Sequence, residues 1–206
     1  MANGQPQSVR KRAAPSRTDR RTLRTRRALG AALVDLMVAR GFDDISVQQL
    51  LDRAKVGRAT FYAHFRNKHD LLLSDVERFC ELLLDAHFLA RARGGRRVAP
   101  VAELFAHVAE YHAFERALAR SGLQDVVVDL VAGHLARVIA QRIAEVRPDH
   151  SATTLPPAVT ARMLAAALVE LLRWWLDQPV RPTPREMDAH FHDMVWGGIA
   201  VRGPAA

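Results

Sequence analysis

Residues 46–65 contain two short helical segments separated by a break, and this arrangement constrains the fold more than any other part of the chain. Ser46 is suited to cap the first segment, with Gln49 three residues later as its capping-box partner. The sequence Lys-Val-Gly at 55–57 interrupts the helical pattern, which resumes from about Arg58 to Phe65. Two short helices joined by a tight turn form a helix-turn-helix motif.

The apolar residues of this segment predict which side of the second helix is exposed. Leu50 and Leu51 on the first helix can pack against Phe61 and Phe65 on the second. The opposite face is then turned outward and carries short or polar side chains: Arg58, Ala59, Thr60, Tyr62 and His64. Such side chains suit a helix whose N-terminal part meets base edges in the major groove of double-stranded DNA.

The distribution of charge also favours a polyanionic partner at the N-terminal end. Residues 1–70 carry 15 basic and 6 acidic residues, whereas residues 71–206 carry 15 basic and 16 acidic residues. Residues 1–19 have almost no large apolar side chains, so we expect a flexible basic arm. A membrane-surface binder is an alternative for such an arm, but the arm lacks the apolar face that this mode requires.

The rest of the chain is predicted to be helical, which gives an all-α fold of about nine helices. No segment shows the alternating pattern of a strand, and no Asn-Gly or Asp-Gly pair lies between two such segments as a hairpin turn. Apolar residues recur at spacings of three and four throughout, with breaks at glycine and proline. The predicted helices span about 22–40, 46–54, 58–65, 67–88, 99–112, 114–120, 122–146, 157–177 and 184–198.

The region of residues 20–75 resembles the TetR family of bacterial repressors. The resemblance rests on Ala39-Arg40-Gly41-Phe42, Ser46, Thr60-Phe61-Tyr62, His64-Phe65, and Lys68 followed by Leu71. It implies a DNA-binding domain at 20–66, with three helices and the helix-turn-helix at 46–65, and a helical effector-binding and dimerisation domain at 67–200. It also implies a cytoplasmic homodimer that represses transcription and is released from its operator by a small-molecule effector.

The predicted DNA-contacting residues, to bases or phosphates, are Ser46, Lys55, Arg58, Ala59, Thr60, Tyr62, His64 and Lys68. The resemblance implies that Arg58 and Thr60 contact bases and that Ser46 contacts the DNA backbone. Lys68 has a further rationale, because it lies in the first turn of a helix whose free N–H groups favour a phosphate. We expect the arm to reach phosphates or a minor groove through Arg17, Arg20, Arg21 and Arg24. A plain surface role for Tyr62 and solvation of the arm arginines are the alternatives.

The motif departs from the usual pattern of the family at three positions. Lys55 stands where the family commonly has glycine, and a left-handed backbone there costs about 1 kcal/mol for lysine. Gly57 replaces a usual serine, so the recognition helix has no side-chain cap. Ala59 replaces a usual glycine and places a methyl group where it can touch a thymine methyl.

The C-terminal helices carry the predicted dimer interface and effector pocket. The helix at 157–177 is apolar on more than one face, so it needs to be covered on two sides. The predicted interface residues on this helix and the last one are Leu171, Trp174, Trp175, Phe191, Met194 and Val195. The candidate pocket residues are Phe88, Phe105, Tyr111 and Phe114, with core packing as the alternative for each.

Other classes of protein find little support in the sequence. No phosphate-binding loop, nucleophile elbow or metal signature is present, so we expect no enzyme activity, metal or cofactor. The single cysteine, Cys80, excludes an intramolecular disulfide and favours the cytoplasm. No apolar run reaches the roughly 18 residues of a membrane span. A transcriptional activator remains an alternative that the motif does not separate from a repressor.

Overall fold

The computed structural model describes residues 17–82, 88–92, 95–146 and 155–197, and all regular structure in these ranges is helical. This confirms the all-α prediction. The helices are α1 (Arg17–Arg40), α2 (Val47–Ala54), α3 (Arg58–Tyr62), α4 (Lys68–Phe79), α5 (Phe88–Ala92), α6 (Val101–Glu110), α7 (His112–Arg120), α8 (Gln124–Val146), α9 (Pro157–Asp177) and α10 (Pro184–Gly197).

The helix bounds differ most from the prediction in the first and the fourth helix. Helix α1 begins at Arg17, five residues before the predicted start, in a segment whose arginines favour helix. Residues 1–16 of the predicted arm lie outside the described residues. The fourth predicted helix ends at Phe79 with a π-helical turn at 80–82, and the short α5 follows as a separate element.

Helices α1 to α4 share one apolar core. Leu29 and Leu33 of α1 are buried together with Leu50 of α2, Phe61 of α3 and Leu71 of α4. An ion pair on the surface, with 2.7 Å between Arg53 Nη2 and Asp35 Oδ2, joins α2 to α1. This packing fixes the orientation of α3 relative to the long α1.

In the C-terminal part, α9 packs along α8 while α10 packs against α6. Arg142 of α8 is buried. Its guanidinium donates to three carbonyl oxygens between the end of α5 and the start of α6, those of Ala92 (2.7 Å), Gly95 (2.8 Å) and Arg97 (3.1 Å). A buried charge with a full set of acceptors is tolerated, so Arg142 holds this loop on α8.

His192 of α10 links that helix to the start of α6. Its Nε2 accepts hydrogen bonds from the backbone N–H groups of Val98 (3.0 Å) and Ala99 (3.3 Å). Burial lowers the pKa of His192, which keeps this nitrogen available as an acceptor. Within the described ranges, no helix combines the length and the apolar character that crossing a membrane requires.

Candidate nucleic-acid interface

The first helix of the motif begins with the predicted capping box. Ser46 Oγ accepts from the backbone N–H of Gln49 at 3.2 Å, and Gln49 Oε1 accepts from the backbone N–H of Ser46 at 2.8 Å. Two of the free N–H groups at the helix start are thereby satisfied. Ser46 remains exposed, and its hydroxyl uses only its oxygen in the cap, so its proton stays a potential donor to a phosphate.

The turn between α2 and α3 is left-handed at Lys55, with φ 55° and ψ 44°. The backbone N–H groups of Lys55 and Val56 both donate to the carbonyl oxygen of Leu51, which closes the end of α2. The backbone conformation for which lysine is strained is therefore the one that Lys55 adopts. The Lys55 side chain is exposed beside the start of α3.

Helix α3 presents the predicted face to solvent. Phe61 and Phe65 are 0% and 2% exposed and lie in the core shared with α1 and α2. On the other side, Arg58, Ala59 and Thr60 are exposed and Tyr62 is 52% exposed, whereas His64 is half-buried beside Phe65. Gly57 caps α3 without a side-chain hydrogen bond, as expected. These side chains form one surface, which we call the α3 face: Arg58, Ala59, Thr60 and Tyr62.

Lys68 has a structural role that the sequence did not indicate. Its Nζ donates to the carbonyl oxygens of Phe42 (2.8 Å) and Asp43 (3.0 Å) and lies 4.6 Å from the centre of the Phe42 ring. Two of its three donors are therefore used within the chain, which leaves one N–H for the predicted phosphate contact. The acceptors lie some 25 residues away in sequence, so no local signal indicated them.

The arginines at the start of α1 are only partly described. Arg20, Arg21 and Arg24 are exposed on the first turns of the helix. The side chain of Arg17 lies outside the described residues. Arg26 was not among the predicted DNA-contacting residues. Its Nη2 donates a hydrogen bond to Ser74 Oγ of α4 at 3.3 Å, and its guanidinium lies over the Phe65 ring.

The predicted dimer residues divide into two groups. Trp175 and Phe191 are 2% and 1% exposed and are buried in the chain's own core, where Trp175 packs edge-on against Phe105. This corrects the expectation that their side chains face a second subunit. Trp174 and Met194 remain 48% and 43% exposed, while Leu171 and Val195 are half-buried.

A cavity of about 720 Å³ lies between helices α1, α4, α6, α7, α8 and α9. Of the four predicted pocket residues, Tyr111 and Phe114 line it. Phe105 and Phe88 do not, because both are fully buried in the core; the Phe88 ring lies beneath the guanidinium of Arg97. The cavity is mainly apolar, and its size is that of a site for a small organic molecule.

Two titratable groups in the cavity wall have shifted pKa values. Burial raises the pKa of Asp75 on α4 to about 6, although Arg78 and Arg26 act in the opposite direction. His107 of α6 is stacked on Phe79 (4.0 Å between ring centres) and close to Tyr111 (4.5 Å), and burial lowers its pKa. At neutral pH the wall therefore contains a carboxylate and an uncharged imidazole.

Comparison with known proteins identifies the N-terminal region. Residues 29–74 match the family described as bacterial regulatory proteins, tetR family. The chain is 35% identical over 68 residues to an uncharacterized HTH-type transcriptional regulator, YxbF, of Bacillus subtilis. It is 34% identical over 67 residues to DhaS of Lactococcus lactis, named an HTH-type activator of the dhaKLM operon. Each match covers 32% of this chain, but only 18% of YxbF and 36% of DhaS.

Solved structures extend the likeness to the whole fold. A TetR-family regulator from Syntrophomonas wolfei is 18% identical with a TM-score of 0.68, covering 87% of this chain and 98% of that one. FadR of Thermus thermophilus, a TetR-family transcriptional repressor in complex with lauroyl-CoA, is 20% identical with a TM-score of 0.54 over 88% and 98% of the two chains. At these identities the likeness concerns the fold. The matched residues 29–74 and the two relatives together show that the chain contains a helix-turn-helix domain of the tetR family of bacterial regulatory proteins.

Proposed function

We propose that this chain is a sequence-specific DNA-binding regulator that inserts the α3 face into the major groove of an operator. The observation that carries the proposal is the division of α3 into two sides. Phe61 anchors the helix in the core, while Arg58, Thr60 and Tyr62 are exposed on the other side. An arginine and a hydroxyl residue near the start of a recognition helix are suited to hydrogen-bond base edges.

Charge around the α3 face supports DNA as the partner. Lys55 lies exposed in the turn before α3, and Arg20, Arg21 and Arg24 are exposed on α1. Cationic side chains of this kind contact phosphates and fix the register of the protein on the duplex. A regulator that binds the chromosome acts in the bacterial cytoplasm. The DNA contacts come from the DNA-binding domain, which ends at residue 66.

The test is a fluorescence-anisotropy titration of the full chain with DNA from upstream of its own gene and with an unrelated duplex of equal length. We expect saturable binding that prefers the upstream DNA and weakens as salt is raised, because phosphate contacts release counterions. Equal affinity for both duplexes at every salt concentration, or no binding at low salt, would contradict the proposal.

The regulator is proposed to act as a homodimer through α9. Three apolar side chains on one face of this helix remain exposed: Val159 (40%), Met163 (58%) and Trp174 (48%). Large exposed apolar residues at helical spacing mark an interaction surface. A two-fold dimer would present two α3 faces to the two halves of a symmetric operator.

Sedimentation velocity on full-length variants tests the dimer. Met163→Glu places a charge in the centre of the proposed interface and is expected to give a monomer. Val180→Glu, at a position 85% exposed beyond the end of α9, is the matched control and should sediment as the unchanged protein does. If the wild-type protein is a monomer, or if Met163→Glu remains a dimer, this interface is contradicted.

The effector-binding part of the proposal rests on the cavity. Its wall includes Gly30, Leu33 and Val34 of α1, so an occupant would touch the helix on which α2 and α3 are packed. A ligand that binds more tightly to a conformation in which α1 has moved would reduce the fraction of molecules in the conformation that binds DNA. The lauroyl-CoA bound to the repressor FadR of Thermus thermophilus supports such a site.

We propose repression rather than activation, although the relative DhaS is named an activator. A reporter driven by the upstream DNA separates the two. Deletion of the regulator should raise reporter expression, and a loss of expression would assign activation instead.

A further inference from the structure

We propose that the cavity takes an apolar organic cation, such as a protonated amine on an alkyl or aromatic body, with Asp75 as its ionic anchor. This inference rests on the proposed effector site and names the class of ligand for it. It also assigns to the contact between Asp75 and Gly30 the role of passing ligand binding to α1.

Asp75 differs from the other acidic residues of the wall in having no close partner. Asp35 pairs with Arg53 at 2.7 Å, Glu115 accepts from Gln124 at 3.5 Å, and Arg173 lies 3.7 Å from both Asp125 and Glu170. Asp75 accepts no hydrogen bond and forms no ion pair with any residue that the structure describes. A buried carboxylate without donors is costly, so a ligand that supplies a charged donor gains what the chain leaves unsatisfied.

The nearby arginines do not compensate this carboxylate. Arg26 donates from Nη2 to Ser74 Oγ and lies over the Phe65 ring, while its Nε is buried without a partner among the described residues. Arg27 also lines the cavity, but its side chain is exposed. Arg78, three residues along α4, lowers the pKa of Asp75, yet burial outweighs both arginines and the pKa stays raised. One nitrogen of Arg78, Nη1, is itself buried without a partner among the described residues and would attract an anion. An anionic ligand would, however, meet the uncompensated carboxylate one helical turn away.

The aromatic side chains of the wall also suit a cation. The His107 ring is stacked on Phe79 and tilted against Tyr111, and all three line the cavity together with Phe114. The faces of aromatic rings attract positive charge, and desolvation in a mainly apolar cavity strengthens this attraction. His107 adds no positive charge at neutral pH because burial lowers its pKa. The apolar remainder of the wall accommodates the body of the ligand.

Ligand binding would reach the DNA-binding helices through Gly30. The Asp75 carboxylate lies against this glycine, at 2.0 Å from the position that a β-carbon there would occupy. A cation in the cavity would draw the carboxylate away from α1 and relax the packing of α1 on α4. Because Leu33 of α1 shares one buried core with Leu50 of α2 and Phe61 of α3, a shift of α1 is carried into the helix-turn-helix.

Isothermal titration calorimetry of the full-length protein tests the ligand class with three probes of equal chain length: decylammonium, decanol and decanoate, all below their micelle concentrations. We expect decylammonium to bind most tightly. Asp75→Asn should weaken it by on the order of tenfold, the loss of one charge-assisted hydrogen bond. Asp193→Asn, which removes an exposed carboxylate on α10 outside the cavity, should leave binding unchanged.

Three results of these titrations would contradict the inference. Binding of decanoate or decanol as tight as that of decylammonium, no binding of decylammonium, or full affinity in Asp75→Asn would each overturn the inference. Circular dichroism and the Tm of Asp75→Asn establish that the variant is folded. A DNA titration of the ligand-free protein separates the two proposals: DNA binding without cation binding removes this inference alone, whereas failure to bind DNA removes the proposed function.

Discussion

The carboxylate of Asp75 on α4 lies against Gly30 on α1, and a β-carbon added at position 30 would stand 2.0 Å from Asp75 Oδ2 and 2.9 Å from its Cγ. A side chain at position 30 is therefore opposed by the Asp75 carboxylate and not by the backbone conformation of Gly30. We expect Gly30→Ala to lower the free energy of unfolding by about 1–3 kcal/mol, the usual cost of overpacking.

A double-mutant cycle with Asp75→Ala identifies the cause. With the carboxylate removed, Gly30→Ala should become stabilising by about 0.5–1 kcal/mol, because alanine favours helix over glycine. Urea unfolding of the four proteins measures both effects. Equal costs of Gly30→Ala in the two backgrounds would show that the contact with Asp75 is not responsible.

The raised pKa of Asp75 predicts a specific dependence of stability on pH. The folded pKa is about 6 and the ordinary value is 3.8, so the folded protein holds the proton more tightly. Protonation of Asp75 contributes fully to the free energy of unfolding below about pH 4, and this contribution is lost as the pH rises through 6. Asp75→Asn should therefore match the unchanged protein at pH 4 and exceed it by about 2–3 kcal/mol at pH 8. A difference that does not change with pH would contradict the burial of an ionised Asp75.

Lys68 is predicted to stabilise the domain through its two backbone contacts. Lys68→Met removes two charge-assisted hydrogen bonds to backbone carbonyls and should lower the unfolding free energy by about 1–3 kcal/mol. Arg66→Met is the control, since Arg66 is 88% exposed and pairs only with Asp70 at 3.5 Å. A Lys68→Met protein that is fully stable but binds DNA more weakly would leave Lys68 the phosphate role alone.

The left-handed backbone at Lys55 predicts that glycine is more stable than alanine at this position. Lys55→Gly and Lys55→Ala remove the same charge, so they should affect DNA binding alike. Because only glycine adopts φ 55° without strain, Lys55→Gly should be more stable than Lys55→Ala by about 1 kcal/mol in thermal unfolding. Equal stabilities would argue against the left-handed turn.

The sequence predicted the helix-turn-helix well because its determinants are local. The Ser46 cap with Gln49, the break before Arg58 and the apolar spacing of Phe61 and Phe65 all act within a few residues. The outward side chains of α3 follow directly from that spacing.

The remaining features depend on which helices meet, and this is not encoded in local patterns. Trp174 and Trp175 are adjacent residues of the same type, yet one is exposed and the other is buried against Phe105. Their roles could not be separated before the packing of α9 on α8 was known. The contact between Asp75 and Gly30 likewise joins positions that are ordinary in sequence, and only the crossing of α1 and α4 brings them together.

The central claim is that the α3 face enters the groove, and the most direct measurement compares Arg58→Ala with Arg120→Ala. Both variants remove one exposed arginine, but Arg120 lies at the end of α7. In anisotropy titrations with upstream and unrelated DNA, we expect Arg58→Ala to lose about 1–3 kcal/mol of binding to the upstream DNA and most of the preference between the two duplexes. Arg120→Ala should retain both. Arg58→Ala binding with unchanged affinity and unchanged preference would contradict the account.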